Sequence, residues 1–194
     1  YVAQHLISQY PFEAWLGTKQ TKDPLLPATF IFNQLQQPAT KILDQYTHFL
    51  ISIPPQESAD LVLNFYANYF KSRKNSIKWV GYLSATSVYG DHKGAWVDET
   101  TPLKPSTNRG RDRLQAEKAW MRLFEEVQCP VHIFRLSSIY GPFRSNFERI
   151  QHSLPILIDK ADHFFSRIHV DDICQVLWQS ITHPCPGQIY NLSD

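Results

Sequence analysis

The sequence predicts an α/β fold, an open parallel sheet with helices on both faces. Short β-branched or aromatic runs alternate with stretches of helical period along the chain, the pattern of successive βα units. The 194 residues, 43% hydrophobic and 19% charged, suit one globular domain with a real core. No internal repeat or low-complexity tract interrupts them.

Residues 1–9 read as a helix with Val2 and Leu6 on one face. Phe12 to Leu16 reads as a strand ending at Gly17, and Thr29 to Phe32 as a weaker strand. A short helix follows over 38–45. Thr47 to Ile53 is a buried strand stopped by Pro54 and Pro55. Residues 58–72 form a helix, with Leu61/Phe65 and Val62/Tyr66/Tyr69 at helical spacing. Ile77 to Ser84 is the strongest strand. The longest helix spans 107–128, marked by Ala116, Trp120, Leu123 and Val127. Val131 to Leu136 is a strand. Asp171 or Asp172 is placed to cap a helix carrying Ile173, Val176, Leu177 and Ile181, and Gln188 to Leu192 is a final strand.

Composition excludes several classes. Five tryptophans, nine tyrosines and twelve phenylalanines are too many for a chain that cannot collapse. The longest apolar stretches, such as Phe49 to Ile53, are strand-length, against the roughly 20 residues of a membrane span. A net charge of +1 sets up no global field toward nucleic acid or an anionic membrane. The cluster Lys104, Arg109, Arg111, Arg113, Lys118 and Arg122 is interrupted by Asp112 and Glu117 and lacks a base-stacking motif, so no nucleic-acid partner is expected. Cys129, Cys174 and Cys185 form no Cys-x-x-Cys and no zinc pattern, which fits reduced thiols in a cytoplasmic protein. Gln4, His5 and Gln9 break any signal-peptide core, and the Asn191-Leu192-Ser193 acceptor triplet reads as chance. Thirteen prolines outnumber seven glycines, and no Gly-x-Gly-x-x-Gly occurs.

In open parallel sheets ligands sit outside the carboxyl ends of the strands, which directs attention to 17–20, 52–56, 84–95 and 137–146. Three segments there or nearby are distinctive: Tyr82-Leu83-Ser84-Ala85-Thr86-Ser87-Val88-Tyr89-Gly90, Arg135-Leu136-Ser137-Ser138-Ile139-Tyr140-Gly141-Pro142, and Arg167-Ile168-His169-Val170-Asp171-Asp172-Ile173. Their order and spacing resemble the extended short-chain dehydrogenase/reductases, which include nucleotide-sugar epimerases and dehydratases. Trp79 to Ser84 and Phe165 to Asp172 read like the atypical branch of that family.

The resemblance implies a Rossmann-type doubly wound parallel sheet over residues 1–194, one NAD(P)-binding domain with a small substrate-side segment around 143–170. It also implies that the first strand and its glycine turn lie just before residue 1, so that Tyr1 to Leu6 open the helix that holds the cofactor pyrophosphate. Thr18 and Lys19 would follow the second strand. With no acidic residue there until Asp23, and with Lys19 able to meet a 2′-phosphate, NADP is expected over NAD, unless Lys19 is simply solvated. Ser52, Ile53 and Pro54 would line the cofactor path, with Ser84 beside it. Tyr140, ahead of Gly141-Pro142, would lie beneath the nicotinamide.

The catalytic set departs from the family. The resemblance calls for a Ser/Thr and a Tyr-x-x-x-Lys, a phenol whose pKa is lowered by the lysine so that it can move a proton. Here Ala85 falls at the serine position, flanked by Ser84 and Thr86, and Arg109 and Arg113 fall at the tyrosine and lysine positions. No tyrosine occurs between Tyr89 and Tyr140, so no register of the long helix supplies one. A guanidinium stays protonated and cannot serve as acid or base; it can clamp a phosphate or carboxylate. Arg113 could equally pair with Glu117 on a solvated face. The Asp98-Glu99 pair reads as a surface loop, and Arg167 as a substrate contact or a packing residue. Two readings stay open. One is an oxidoreductase, epimerase or dehydratase acting on a small substrate of the sugar-nucleotide kind, with Ser84, Thr86, Arg109, Arg113 and Tyr140 as the groups at the reacting centre. The other is a dinucleotide sensor or scaffold that has lost turnover. Homodimer pairing is expected through the helices at 58–72 and 107–128.

Overall fold

The computed structural model describes residues 1–10, 14–21, 29–56, 59–144 and 164–194. In chain order these form α1 (Val2–Gln9), β1 (Gly17–Lys19), β2 (Thr29–Ile31), α2 (Thr40–Leu43), β3 (His48–Ile51), α3 (Leu61–Arg73) and β4 (Trp79–Ala85). A single 3-10 turn, Thr86–Val88, leads on to α4 (Asn108–Val127), β5 (Val131–Leu136), β6 (Ser138–Tyr140), β7 (Arg167–His169), α5 (Val170–Thr182) and β8 (Ile189–Leu192). The main sheet runs β3-β4-β5-β8, every pair parallel, and β1-β2 and β6-β7 form parallel pairs of their own.

Strand periodicity sorts the core into two layers. Val80 and Tyr82 of β4 and Val131 and Ile133 of β5 face α3 and α4, where Phe70 and Trp120 are buried with them. Trp79 and Leu83, with Phe134 and Leu136, face α1 and α5, meeting Val2, Leu6, Ile173 and Leu177. Covered on both faces, β4 and β5 are buried along nearly their whole length.

Helix ends follow local chemistry. Asp60 caps α3, its carboxylate accepting from the Leu63 amide at 2.9 Å. Thr107 caps α4 by accepting from Gly110 N at 3.1 Å, and Gln128 closes that helix in the left-handed region at φ 60°. The cap of α5 is His169, whose Nδ1 accepts from the Asp171 amide at 3.2 Å. Asp171 and Asp172 therefore lie in the first helical turn, where they oppose the positive end of the helix dipole without capping it.

Other boundaries also moved. The strand expected over Phe12 to Leu16 lies at Gly17–Lys19 instead, with residues 11–13 outside the described set. Pairing with β2 sets this register: Gly17 faces Thr29, and a Cβ on Gly17 would lie 3.1 Å from the Thr29 methyl. The strand expected over 47–53 ends at Ile51, and α3 starts only at Leu61, because Asp60 is its cap. Residues 145–163 of the expected substrate-side segment lie outside the described residues.

His132 of β5 is wholly buried and stacks on Trp79 at 5.8 Å. Burial holds its imidazole below the ordinary value of 6.5, against the backbone carbonyls of Val80 and Pro130. Neutral His132 therefore contributes stability that is present above pH 6.5 and lost as pH falls through the folded value. Wild-type stability should fall between pH 8 and pH 5 on this account. Urea unfolding of His132→Leu at both pH values should show that drop shrinking.

Candidate functional site

The carboxyl ends of β1, β3, β4 and β6 carry the expected site residues. Lys19 closes β1 and its carbonyl accepts from Phe32 N at 2.8 Å, while Thr18 is exposed within the strand. Lys19 lies near enough to Tyr1, which precedes α1, to act on it by charge. Among the described residues no side chain caps α1. Ser52 and Pro54 are exposed just past β3, and Ile53 is half-buried against the α3 and α4 layer.

At the end of β4 the hydroxyls part ways. Ser84 is buried and its Oγ donates to Glu117 Oε1 at 2.5 Å. Ala85 is the last strand residue, in register with Leu136. Thr86 opens the 3-10 turn half-buried, its carbonyl accepting from Tyr89 N at 3.0 Å. Alpha4 approaches this turn closely because Gly110 has no side chain; a Cβ there would sit 2.6 Å from the Ser87 carbonyl oxygen. That approach sets the exposed Arg109, in the first turn of α4, beside the turn.

Arg113 is spent differently. Its Nη1 donates to the Leu83 carbonyl at 2.6 Å, and its guanidinium lies 5.9 Å from the Tyr82 ring centroid. The expected Arg113–Glu117 pair does not form, because Glu117 turns into the core. Period two puts Ser84 and Arg135 side by side on the α4 face of the sheet, and α4 presents Glu117 to both. Arg135 Nη2 donates to Glu117 Oε2 at 2.9 Å, with side chains only 2% and 3% exposed. Arg135 Nη1 donates to the Tyr89 hydroxyl at 2.8 Å, which in turn donates to Asn191 Oδ1 at 2.8 Å. The Asn191 amide donates to Glu99 at 2.6 Å, so the loop after β4 is tied to β8.

The sequence reasoning missed this buried chain of polar groups, though two signals mark it. Glu117 interrupts the inward stripe of α4 between Leu114 and Trp120, and Arg135 is a charge in a strand whose other residues, His132 apart, are apolar. Each needs an opposite charge if it is buried.

No phenol stands in for the missing tyrosine among the described residues near Arg113. Burial drives the Tyr82 phenol well above its ordinary value, against the pull of Arg113. Tyr140 closes β6 edge-on to His169, with ring centroids 5.0 Å apart. Its hydrogen bond to the Asp194 carboxylate raises its pKa, so it holds its proton at neutral pH. An open cleft of about 360 Å3 adjoins it, lined by Ile168, Asp172, Val176, Tyr190 and Asp194 among others. Among the described residues no helix is long and apolar enough to cross a membrane, and no His, Cys, Asp or Glu group could hold a metal ion.

Comparison with known proteins gives three findings. Residues 71–193 match the NAD dependent epimerase/dehydratase family. Protein YeeZ of Escherichia coli strain K12 is 32% identical over 115 residues, which is 57% of this chain and 38% of YeeZ; the chain thus spans well under half of that relative. Among solved structures, a functionally unknown conserved protein from Silicibacter pomeroyi is 39% identical with a TM-score of 0.86, covering 100% of this chain and 69% of the other. The dTDP-glucose 4,6-dehydratase of Bacillus anthracis, in complex with NAD, is similar in fold at 18% identity and a TM-score of 0.66, covering 88% and 60%.

Proposed function

Because this chain belongs to the NAD dependent epimerase/dehydratase family, we propose that it binds a nicotinamide dinucleotide, NADP in preference to NAD, beside a small substrate of the sugar-nucleotide kind. The uncapped first turn of α1 and the neighbouring charge of Lys19 fit the phosphates of such a cofactor. Ser52, Ile53 and Pro54 line its path at the end of β3. When bound, the cofactor supplies hydride exchange.

The protein's own groups then act by charge and position. Arg109 offers a permanently protonated fork to substrate oxygens, Thr86 a hydroxyl, and Tyr140 a phenol that donates but does not ionise. Arg113 keeps the end of β4 fixed through the Leu83 carbonyl. The observation that carries this reading is the division of labour on α4, where Arg113 is bound inward and Arg109 stays exposed.

A different observation favours a second reading. With Ser84 committed to Glu117 and, among the described residues, no phenol poised to lose a proton, the site suits a dinucleotide sensor without turnover.

Calorimetric titration of the full-length protein tests the cofactor. NADP(H) should bind at micromolar Kd, and Lys19→Glu should cost about tenfold for NADP(H) while leaving NAD(H) within twofold. Binding of neither dinucleotide sinks both readings. For the enzyme reading, Arg109→Ala should lower kcat/KM by about 100-fold with cofactor affinity unchanged. A wild-type protein that binds NADP(H) but turns over no sugar nucleotide in a substrate screen is the sensor.

A further inference from the structure

The loop that leaves β4 holds a tryptophan in water between fixed points. Lys93 N donates to Asp91 Oδ1 at 2.7 Å and Ala95 N to the His92 carbonyl at 3.0 Å, so residues 91–95 fold on themselves. Val97, the next residue but one, packs against Val88, Tyr89 and Leu114. Asn191 of β8 grips the loop at both ends, accepting from the Tyr89 hydroxyl and donating its amide to Glu99. Trp96 lies inside this frame fully exposed, with no ring contact or hydrogen bond among the described residues. Two more aromatic rings adjoin the loop. Phe164 is 73% exposed and rests on Gly94, where a Cβ would come within 2.6 Å of its ring, and Phe165 follows it, also exposed.

An indole held rigidly in water adds nothing to the core, and exposed apolar surface of this kind marks a contact site. Its place in the fold says what belongs there. Residues Phe164 to Ser166 lead into β7, which pairs with β6 from Ser138, just past the carboxyl end of β5. The loop itself starts at the carboxyl end of β4. The aromatic surface therefore borders the ligand side of the sheet, and the exposed Arg109 flanks the same β4 turn. A flat apolar face continuous with an exposed guanidinium suits a ligand that joins a planar ring to a phosphate. We propose that Trp96, with Phe164 beside it, stacks the nucleobase of the substrate while the phosphates turn toward Arg109. This rests on the sugar-nucleotide reading above and names the part of that substrate which the loop takes. Stacking engages a π-face rather than a hydrogen-bond pattern, so uracil and thymine should be held alike.

The test titrates UDP, dTDP, UDP-glucose and glucose 1-phosphate into the full-length protein saturated with NADP, with Trp96→Ala, Trp96→Phe and Phe164→Ala as variants. UDP and dTDP should quench the emission of the exposed indole, and Trp96→Ala should abolish that quenching. Calorimetric Kd values for UDP, dTDP and UDP-glucose should rise about tenfold in Trp96→Ala and about threefold in Phe164→Ala. Trp96→Phe keeps a ring face and should stay within about threefold of wild type. Glucose 1-phosphate carries the phosphate without the base, so its Kd should stay within about twofold throughout. Thermal unfolding separates function from structure: Trp96→Ala should keep its Tm, because the side chain packs on nothing. A Trp96→Ala protein that binds UDP and dTDP within twofold of wild type overturns the base platform and leaves the sugar-nucleotide reading standing. Equal losses for UDP and glucose 1-phosphate, or a lowered Tm with every probe weakened, overturn it as well. Wild-type protein that binds neither UDP-glucose nor the two nucleoside diphosphates overturns both.

Discussion

Glu117→Ala should destabilise the protein by about 3–5 kcal/mol, much of the roughly 5–15 kcal/mol that holds a domain of this size together. The loss comes from what remains. Arg135, 2% exposed, would keep its charge in the core with only the Tyr89 hydroxyl to receive a hydrogen bond, and the Ser84 hydroxyl would lose its acceptor. Glu117→Gln keeps the shape and the acceptor oxygen while removing the charge, so about 2 kcal/mol is expected. Replacing both partners, Glu117→Leu with Arg135→Leu, should recover more than half of the alanine loss, since no buried charge is then left alone. Urea unfolding of the four proteins measures all of this. A Glu117→Ala protein as stable as wild type would mean that water reaches Arg135.

Trp120→Ala should cost about 3–5 kcal/mol by the same measurement. Trp120 is fully buried where α3, α4 and β4 meet. Its ring stacks on Tyr82 at 6.1 Å and meets Phe70 edge-on at 5.3 Å, while Nε1 donates to Asp60 Oδ2 at 3.1 Å. Trp120→Phe separates the two roles. It keeps most of the apolar volume and removes the donor to Asp60, so about 1–2 kcal/mol is expected. It should also alter the pH profile. Burial raises the Asp60 pKa, and the hydrogen bonds from Leu63 and Trp120 hold it down. A carboxyl with a raised folded-state pKa gives stability that is full below its unfolded value and lost as pH rises through the folded one. Without the Trp120 donor the folded value climbs, so Trp120→Phe should lose more stability than wild type between pH 4 and pH 7.

Much of the layering was legible because it depends on local period. The apolar spacing of Ala116, Trp120 and Leu123, and the buried run through Val131 to Leu136, are written in neighbouring residues and survive folding unchanged. Partner choice is not local. From the sequence, Arg113 and Glu117 are an i, i+4 pair; in the fold, Glu117 meets an arginine 18 residues away on another element. The cap of α5 shows the same limit. Asp171 and Asp172 have the right chemistry, but the chain direction set by β7 puts His169 at the position that counts. The short first strand was misplaced because Ala14, Trp15 and Leu16 are more apolar than Gly17, Thr18 and Lys19, while register with Thr29 decides which three residues pair. At the site, the absence of a tyrosine on α4 was plain from the sequence. The separate fates of Ser84 and Thr86, and of Arg113 and Arg109, were not, because they turn on which side chain faces the core.

The hydrogen bond from the Asn191 amide to Glu99 falls on the outward side of β8, since β5 is served by the carbonyls of Gln188 and Leu192. Among the described residues β8 ends the main sheet. Strands in that position offer unpaired amides to any extended segment that drifts past, including those of partly unfolded copies of the same chain. A carboxylate seated on the middle of the strand fills one such donor and places a negative charge in the path of an incoming backbone. Resistance to aggregation along this border is therefore expected to depend on Glu99, in the loop that follows β4.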